Sequence, residues 1–414
     1  MALELRDAHR SVTLVEFSPS GGLFQFAVQL GEALAKRGHV VELVTGPAPE
    51  LTSQVSGFTI SPLLPTWHAN VGADDPAWRR RLRRVVRAGR YHFAWVVLMR
   101  HLSRGMPDVV QFSESRFPVD GLFPAFLGLL RRAPVLVALA HAPVPFNEQR
   151  PSGAVFKGGR LLHQALDLGY RHLDAVLVLG EQTASDLRGS FPRVRCIHVV
   201  PHGDEDVFLR SSVQSAASTE PVVLFFGTLQ AYKGLHLLLE AFSAVRAQRP
   251  RARLLIAGAP SGDTDLTELR QRVDAIGGAE LRVGYVPVAD VQDLFDRARV
   301  VVTPYLYANA SGVVALARTF ARPVVATAVG DLAAVVENEV AGLVVPPGDA
   351  IRLAEALIRL LDDPQEAQRM GEAAKAASAT ESSWLRVAEK VEAVYEACLR
   401  DRVSRSAGVD AVSA

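Results

Sequence analysis

Two glycine-containing turns stand where an apolar, β-branched run gives way to a helical pattern, and both carry groups that suit a phosphate ligand. In residues 18–22, Gly21 and Gly22 allow the backbone to approach a ligand, and the next helix presents unpaired N–H groups. In residues 227–234, Lys233 directly precedes a helix, where its ammonium can neutralise a departing pyrophosphate. A surface lysine is the alternative, but the glycine-flanked turn favours a ligand contact. Neither turn has G-x-G-x-x-G spacing or a Walker lysine motif, which argues against a dinucleotide-dependent oxidoreductase and an ATPase.

A third candidate group opens the helical pattern at residues 312–320. Ser311 is a residue type favoured at helix N-caps, and Gly312 lets the chain approach a ligand. A helix N-terminus carries about half a positive charge, which attracts a phosphate. An ordinary capped helix would have the same residues, so this group indicates a ligand only in combination with the two turns.

Two further residues follow apolar runs that are typical of buried strands. His141 comes directly after residues 135–140, and Glu114 lies just beyond residues 109–112. We expect both side chains at the carboxyl edge of a parallel sheet, where ligands of open α/β sheets bind. A histidine with only a structural role is the alternative for His141.

These candidates are positioned by a pattern in which strands and helices alternate. Strands are predicted at 11–17, 40–44, 109–112, 135–140 and 175–179, and again at 222–226, 252–257, 281–286, 300–304 and 323–326. Alternation of this kind predicts an α/β protein with two doubly wound, Rossmann-like domains that face a cleft. The predicted organisation is a domain at 1–209, a linker at 210–220, a domain at 221–383, a helix at 384–400 that crosses back, and a frayed tail at 401–414.

Composition excludes several classes of function. The 414 residues include 45 Lys and Arg against 44 Asp and Glu, a formal net charge of +1 that excludes a globally basic nucleic-acid binder. Cys196 and Cys398 are too far apart in sequence to suggest a disulfide scaffold or a metal site, which fits a reducing cytoplasm. The charged N-terminal residues predict no signal peptide, and the apolar stretches are shorter than the ~18 residues of a membrane-spanning helix.

Three strings in the second half carry a resemblance to a known family. FFGTLQAYKGLHLLLEAF, VVTPYLYANASGVVALARTFARPVVAT and NEVAGLVVPPGD follow one another between residues 221 and 350. In combination they resemble the GT-B glycosyltransferases, specifically the retaining family 4 that uses nucleotide-diphosphate sugars. The resemblance extends more weakly over the first half through residues 18–22, His141 and VVPHGDEDVF.

The resemblance implies a role for each candidate residue. Lys233 would contact the donor diphosphate, and His141 would touch the transferred sugar and stabilise positive charge at its anomeric carbon. The implied reaction retains the anomeric configuration, needs no metal or cofactor, and uses the nucleotide sugar as a co-substrate. The further donor contacts implied are Gly21, Gly22, Thr228, Ser311, Gly312 and Val313.

The chain departs from the family pattern at four positions. Ala308 and Leu316 stand where family members usually have two donor-binding glutamates, Thr228 replaces an arginine, and Ala334 replaces a later glutamate. These losses keep a second hypothesis open, a non-catalytic GT-B-like subunit that supports an active transferase. A third hypothesis is epimerisation of a nucleotide sugar, for which Glu114 is the candidate acid or base.

An arginine-rich segment between Trp78 and Arg104 bears on the acceptor. It contains nine arginines interleaved with apolar and aromatic residues, a pattern typical of a helix resting on an anionic membrane. A lipid-linked acceptor and a place at the inner face of the membrane would follow. A solvated helix packed on the first sheet is the alternative, and a glycan or small-molecule acceptor remains open. No nucleic-acid-binding motif accompanies the arginines.

Overall fold

The computed structural model describes residues 9–67, 77–114, 117–128, 133–141, 159–261 and 264–412, and the chain divides into two compact units. In this part of the chain, unit 1 comprises the residues up to Val200 together with those from Trp384 onward. Unit 2 comprises Pro201–Ser383. Each unit contains its own sheet and is described by itself.

Unit 1 is built on a seven-stranded parallel sheet in the order β3-β2-β1-β4-β5-β6-β7. The central strands are apolar on both faces because helices cover both sides of a doubly wound sheet. Its strands are β1 (Ser11–Val15), β2 (Val40–Val44), β3 (Phe58–Ser61), β4 (Val109–Phe112), β5 (Val135–Ala140), β6 (Ala175–Val178) and β7 (Ile197–Val199). Its helices are α1 (Gly22–Lys36), α2 (Ala77–Gly105), α3 (Pro118–Gly128), α4 (Gly159–His172), α5 (Glu181–Ser190) and, at the C-terminus, α13 (Trp384–Val412).

Unit 2 is built on a six-stranded parallel sheet in the order β10-β9-β8-β11-β12-β13. Its strands are β8 (Val222–Phe226), β9 (Arg253–Gly258), β10 (Ala279–Val283), β11 (Val300–Thr303), β12 (Val324–Thr327) and β13 (Gly342–Val345). Its helices are α6 (Leu235–Gln248), α7 (Leu266–Ile276), α8 (Val288–Arg297), α9 (Gly312–Thr319), α10 (Leu332–Val336), α11 (Ala350–Asp362) and α12 (Pro364–Glu381). The predicted α/β class with two doubly wound, Rossmann-like sheets is confirmed, whereas a cleft between them stays a prediction.

The segment that follows β7 differs from the predicted domain end and linker. Residues 201–209 lie with unit 2, where the Glu205 amide donates to Thr319 Oγ1 and Phe208 is buried in the hydrophobic core. Residues 210–220 pack along the same unit, and the Arg210 amide donates to Gln292 Oε1 at 2.6 Å. These contacts join residues about 80 to 115 positions apart, so the local sequence does not reveal them. The polar composition of residues 210–220 is the same as that of a free linker.

The last helix extends past residue 400, where the sequence predicts a frayed tail. Tyr395 donates its hydroxyl hydrogen to Gln111 on β4, and both side chains are buried. Two helical turns further, Arg402 forms an ion pair with Asp174, with 2.6 Å between a guanidinium nitrogen and Oδ2, and also donates to the Ala133 carbonyl. Tertiary contacts therefore anchor a stretch that lacks a strong apolar pattern of its own.

Replacing Arg402 with alanine tests this anchor. The substitution leaves the buried Asp174 carboxylate without its charged partner, so we expect R402A to lower the free energy of unfolding of unit 1 by about 1.5–3 kcal/mol. Denaturant unfolding followed by tryptophan fluorescence measures this unit selectively, because Trp67, Trp78, Trp95 and Trp384 all belong to it.

The matched control removes an exposed ion pair on the same helix. Arg386 pairs with Glu389 at 3.2 Å in solvent, so R386A should cost at most about 0.5 kcal/mol. Equal effects of the two variants would show that the C-terminal part of α13 is not anchored through Arg402.

Candidate functional site

The carboxyl edge of the unit 2 sheet is assembled by close backbone contacts that only glycine permits. A Cβ atom on Gly258 would lie 1.7 Å from the carbonyl oxygen of Gly227, and one on Gly234 would lie 1.9 Å from that of Pro304. Gly227 and Gly234 also have φ angles of +109° and +67°, which other residues rarely adopt. The turn after β8 is therefore held against the ends of both neighbouring strands, β9 and β11.

Lys233 lies at the end of this turn and is almost completely buried, with 8 % of its surface exposed. Its Nζ is 5.5 Å from the ring centroid of Tyr305 and 3.0 Å from the position of a Cβ on Gly227. Burial lowers the pKa of Lys233 to about 8, and no carboxylate of the described residues offsets this effect. The protein thus holds an ammonium at the sheet edge in a place that an anionic ligand can neutralise.

The start of α9 lies beside the same turn. Val313 Cγ2 is 3.6 Å from the position of a Cβ on Gly227, and Lys233 Nζ is 3.0 Å from the same position, so both side chains lie against Gly227. Ser311 occupies the N-cap position in an extended conformation, but its side chain makes no capping hydrogen bond. In the described part of the chain, the amides of Gly312 and Val313 donate no hydrogen bond to another residue. The helix start therefore offers two N–H donors and its partial positive charge to a ligand.

The positions that depart from the family pattern present no charged group to this edge. Ala308 is buried, and its carbonyl oxygen lies 1.8 Å from the position of a Cβ on Gly330. Leu316 is packed in the hydrophobic core of unit 2. Thr228 is exposed in the turn after β8, where its hydroxyl donates to Gln230 Oε1 at 3.2 Å.

Two residues that the sequence analysis did not select lie at the first residue of α9. His202 Nε2 and Glu205 Oε1 are 3.6 Å and 4.0 Å from the position of a Cβ on Gly312, and 3.9 Å from each other. They belong to VVPHGDEDVF, which carried the weaker part of the resemblance. Their position follows from the packing of residues 201–208 on α9, which no local pattern indicates.

The remaining predicted site residues lie in unit 1. Gly21 is the N-cap of α1 with a φ angle of +89°, its amide donates to Glu50 Oε2 at 3.2 Å, and Gly22 is the first residue of α1. His141 follows β5 and packs edge-on against Phe26 of α1, with 5.4 Å between ring centroids. The structure thus places His141 directly after the last residue of β5 and against α1, and its contact with a sugar stays a prediction.

Unit 1 also contains a small cavity at the carboxyl ends of β1, β4 and β5. Its volume is about 20 Å³, room for one water-sized group, and Glu16, Glu114 and Asp120 line it together with aromatic side chains. Asp120 accepts hydrogen bonds from the Tyr91 hydroxyl at 2.8 Å and from Trp95 Nε1 at 2.9 Å. Glu114, the candidate of the epimerisation hypothesis, is therefore part of a cavity in unit 1.

The described residues contain no cluster of His, Cys, Asp and Glu side chains that could hold a metal ion, and metal independence stays a prediction.

Two family descriptions match the chain, one over each half. Residues 220–363 match Glycosyl transferases group 1, and residues 20–204 match Glycosyltransferase Family 4. Together with the two parallel sheets, these matches decide the family. The chain belongs to glycosyltransferase family 4 and has the GT-B fold.

Curated relatives of this family 4 chain are named glycosyltransferases. A D-inositol 3-phosphate glycosyltransferase of Corynebacterium diphtheriae is 34 % identical over 42 % of this chain and 42 % of its own length. An alpha-D-kanosaminyltransferase of Streptomyces kanamyceticus is 26 % identical over 54 % of this chain and 61 % of its own length. The chain thus spans about half the length of these relatives. The D-inositol 3-phosphate glycosyltransferase of Xylanimonas cellulosilytica is 27 % identical over 93 % of this chain and 94 % of its own length.

Solved structures show the same fold. Sucrose-phosphate synthase from Thermosynechococcus elongatus has a TM-score of 0.69 at 21 % identity, covering 95 % of this chain and all of that chain. The Anabaena protein Alr3699/HepE, solved in complex with UDP-glucose, has a TM-score of 0.65 at 15 % identity, covering 94 % of this chain and all of that chain.

The buried Lys233 ammonium gives a prediction about stability in the family 4 chain. Replacing it with methionine removes a charge that burial penalises, so K233M should raise the free energy of unfolding at pH 7 by up to about 3 kcal/mol. In the wild type, the free-energy cost of burying the charged lysine is fully present below pH 8, the approximate pKa of Lys233 in the folded protein. This cost disappears as the pH rises to 10.5, the pKa of an ordinary lysine. The advantage of K233M should therefore vanish at high pH.

Calorimetric unfolding at several pH values measures this difference. K375M, which removes an exposed lysine from α12 of the same unit, serves as the control and should change stability little at any pH. A destabilised K233M at pH 7 would contradict the description of Lys233 as a buried cation without a compensating carboxylate.

Proposed function

We propose that this protein transfers a sugar from a nucleotide-diphosphate sugar to an acceptor hydroxyl, with retention of the anomeric configuration and without a metal ion. The observation that carries the proposal is the grouping of Lys233 at one sheet edge with the Gly312 and Val313 amides, which donate to no other described residue. An ammonium and two N–H donors suit a group whose negative charge grows during the reaction, and a departing nucleoside diphosphate is such a group. The names of the relatives support the same reaction class.

In this mechanism the protein mainly stabilises the leaving group. Lys233 and the start of α9 hold the diphosphate as the bond to the anomeric carbon breaks. The acceptor hydroxyl attacks from the side on which the diphosphate leaves, and a phosphate oxygen takes its proton. Retention follows because the new bond forms on the face of the sugar from which the old one departs.

Residues of unit 1 complete the proposal. His141 contacts the transferred sugar and stabilises positive charge at its anomeric carbon, and Gly21 and Gly22 approach the diphosphate with their backbone. Support comes from the position of His141 after β5 and from the positive φ angle of Gly21. This φ angle favours glycine, and the absence of a side chain leaves the backbone accessible to a ligand. Thr228, exposed in the turn after β8, contributes its hydroxyl to the donor.

Transfer is tested with a panel of UDP-, GDP-, ADP- and dTDP-sugars and of polyol and lipid-linked acceptors, by following release of the nucleoside diphosphate and the anomer formed with proton NMR. We expect one donor class to react, with retained configuration and an unchanged rate in EDTA. K233A should lower kcat/KM at least about 100-fold because it removes charge stabilisation from the leaving group. K375A is the control and should react like the wild type.

Several outcomes would contradict the mechanism. An inverted product would exclude attack from the leaving-group side, and loss of activity in EDTA that added metal restores would exclude metal independence. Binding of no nucleoside diphosphate in a thermal-shift assay would instead favour a non-catalytic subunit.

We further propose a lipid-linked acceptor and contact of α2 with the inner face of an anionic membrane. Five apolar side chains of α2 are at least half exposed, and the helical period places them on one face, opposite the buried Trp95 and Leu98. The five are Leu82, Val85, Val86, Phe93 and Val96. Arg100 and Arg104 extend the same face, and both side chains are exposed. In the part of the chain that the structure describes, no helix is long and apolar enough to span a bilayer.

The arginines of α2 support an anionic surface as the partner of this face. Arg100 and Arg104 lie on this face with exposed side chains, whereas Arg87 packs on the Trp67 ring and Arg90 donates to the Pro65 and Thr66 carbonyls. Each basic residue near an anionic surface contributes about 1 kcal/mol to binding, and apolar side chains that enter the headgroup region add to it.

Co-sedimentation with phosphatidylglycerol vesicles tests this contact. The wild type should bind, more weakly as the salt concentration rises, and the double variant F93S/V96S should bind about tenfold more weakly. I351S removes an equally exposed apolar side chain from α11 of unit 2 and is the matched control. Binding that is absent at low salt, or that F93S/V96S leaves unchanged, would contradict membrane contact through α2.

A further inference from the structure

The segment between β7 and β8 fixes two titratable side chains against the candidate donor site. The Glu205 amide donates to Thr319 Oγ1 at 2.9 Å, and the Phe208 amide donates to the Glu205 carbonyl at 3.1 Å. Phe208 is buried in the core of unit 2. These contacts hold residues 202–205 along α9, so the positions of His202 and Glu205 are set by the helix that also offers the Gly312 and Val313 amides.

The hydrogen bonding of His202 defines which ring nitrogen faces the site. Nδ1 lies 3.0 Å from the Gly203 carbonyl oxygen, and a carbonyl only accepts, so Nδ1 carries a hydrogen. In the neutral ring, Nε2 then has a lone pair, and Nε2 is the nitrogen that lies 3.6 Å from the position of a Cβ on Gly312. With a second proton, the ring would present a positively charged N–H donor at the start of α9.

We propose that His202 is a second cationic contact of the donor diphosphate, that its ring takes up a proton from solvent when the diphosphate binds, and that Glu205 is a positioning residue for the ring. This inference rests on the proposed use of a nucleotide-diphosphate donor. Nε2–H then donates to a phosphate oxygen while Nδ1–H keeps its bond to Gly203. No covalent bond forms or breaks.

The charges around His202 agree with a ring that is neutral in the free protein. Burial and the positive charge of Arg318 on α9 lower the pKa of His202, while its hydrogen bond to Gly203 acts in the opposite direction. Glu205 Oε1 is 3.9 Å from Nε2 and favours the protonated ring electrostatically. A diphosphate adds further negative charge beside Nε2, which raises the pKa of the ring and makes binding and protonation mutually favourable.

The contact also supplies positive charge to a site in which Thr228 stands where family members usually have an arginine. Lys233 provides one positive charge, whereas a nucleoside diphosphate carries more than one negative charge. His202 supplies a further charge only when the ligand is present, so the free protein does not have to bury a second cation.

Isothermal titration calorimetry with UDP, GDP, ADP and dTDP, in buffers of different ionisation enthalpy, measures the protons taken up. At about pH 7 Lys233 is mostly charged already, so uptake at this pH reports mainly on His202. We expect the wild type to take up several tenths of a proton more per bound nucleotide than H202N. The same variant should weaken binding about tenfold near pH 6.5 and less at higher pH. Titration of the nucleotide itself cancels in this comparison.

Further variants separate the outcomes. H202Q is a second replacement of His202, and it shows whether an effect of H202N comes only from a folding defect caused by asparagine. H236N removes an exposed histidine from α6 and is the matched control, which should take up as many protons as the wild type. E205Q should shift the pH profile of nucleotide affinity to lower pH, whereas a purely structural role would weaken binding equally at every pH. Nucleotide binding with equal proton uptake in the wild type and both His202 variants would overturn this inference and leave the proposed function standing. Failure of the wild type to bind any of the four nucleoside diphosphates would overturn both.

Discussion

The candidate site depends on one constraint, the burial of an ammonium that pairs with no carboxylate of the described residues. Lys233 could reach solvent easily from an open turn, yet its pKa is depressed to about 8 because the turn, Tyr305 and α9 surround it. Desolvation of this kind costs free energy in the free protein, and that cost is recovered only when a negative charge arrives. The buried Lys233 ammonium therefore favours binding of an anionic ligand. The Gly312 and Val313 amides, which donate to no other described residue, add hydrogen-bond donors at the start of α9.

Close backbone contacts define the arrangement around Lys233. Gly234 lies against the Pro304 carbonyl and Gly258 against the Gly227 carbonyl, at separations that a Cβ atom would not allow. These contacts position the turn after β8 before any ligand binds, which limits the reorganisation that binding requires. Residues 201–208 complete the edge because they run along α9 within unit 2. The glycines thus allow the backbone segments to pack closely, and this packing positions the charged side chains at the sheet edge.

Unit 1 has a different balance of interactions. Its sheet is apolar, and α13, the final helix of the chain, is fixed to it by polar contacts, among them Tyr395 with Gln111 and Arg402 with Asp174. Other helices of unit 1 leave apolar side chains exposed to solvent, and α2 has the most of them. An outward apolar face bordered by arginines is unusual for a surface that only contacts water, and it agrees with a partner that is both anionic and apolar.

The sequence by itself determined the alternation of strands and helices, the two doubly wound sheets, and the turns that hold Gly21, Gly22, Lys233 and Ser311. Local periodicity and glycine placement suffice for these features because they depend on neighbouring residues. Only the tertiary structure decided which groups meet. It assigned residues 201–220 to unit 2, extended α13 to Val412 and placed His202 and Glu205 beside Gly312. It also left Ser311 without a capping bond. Contacts between residues about 100 positions apart leave no local signature, since a short polar segment has the same composition whether it is free or packed against a helix.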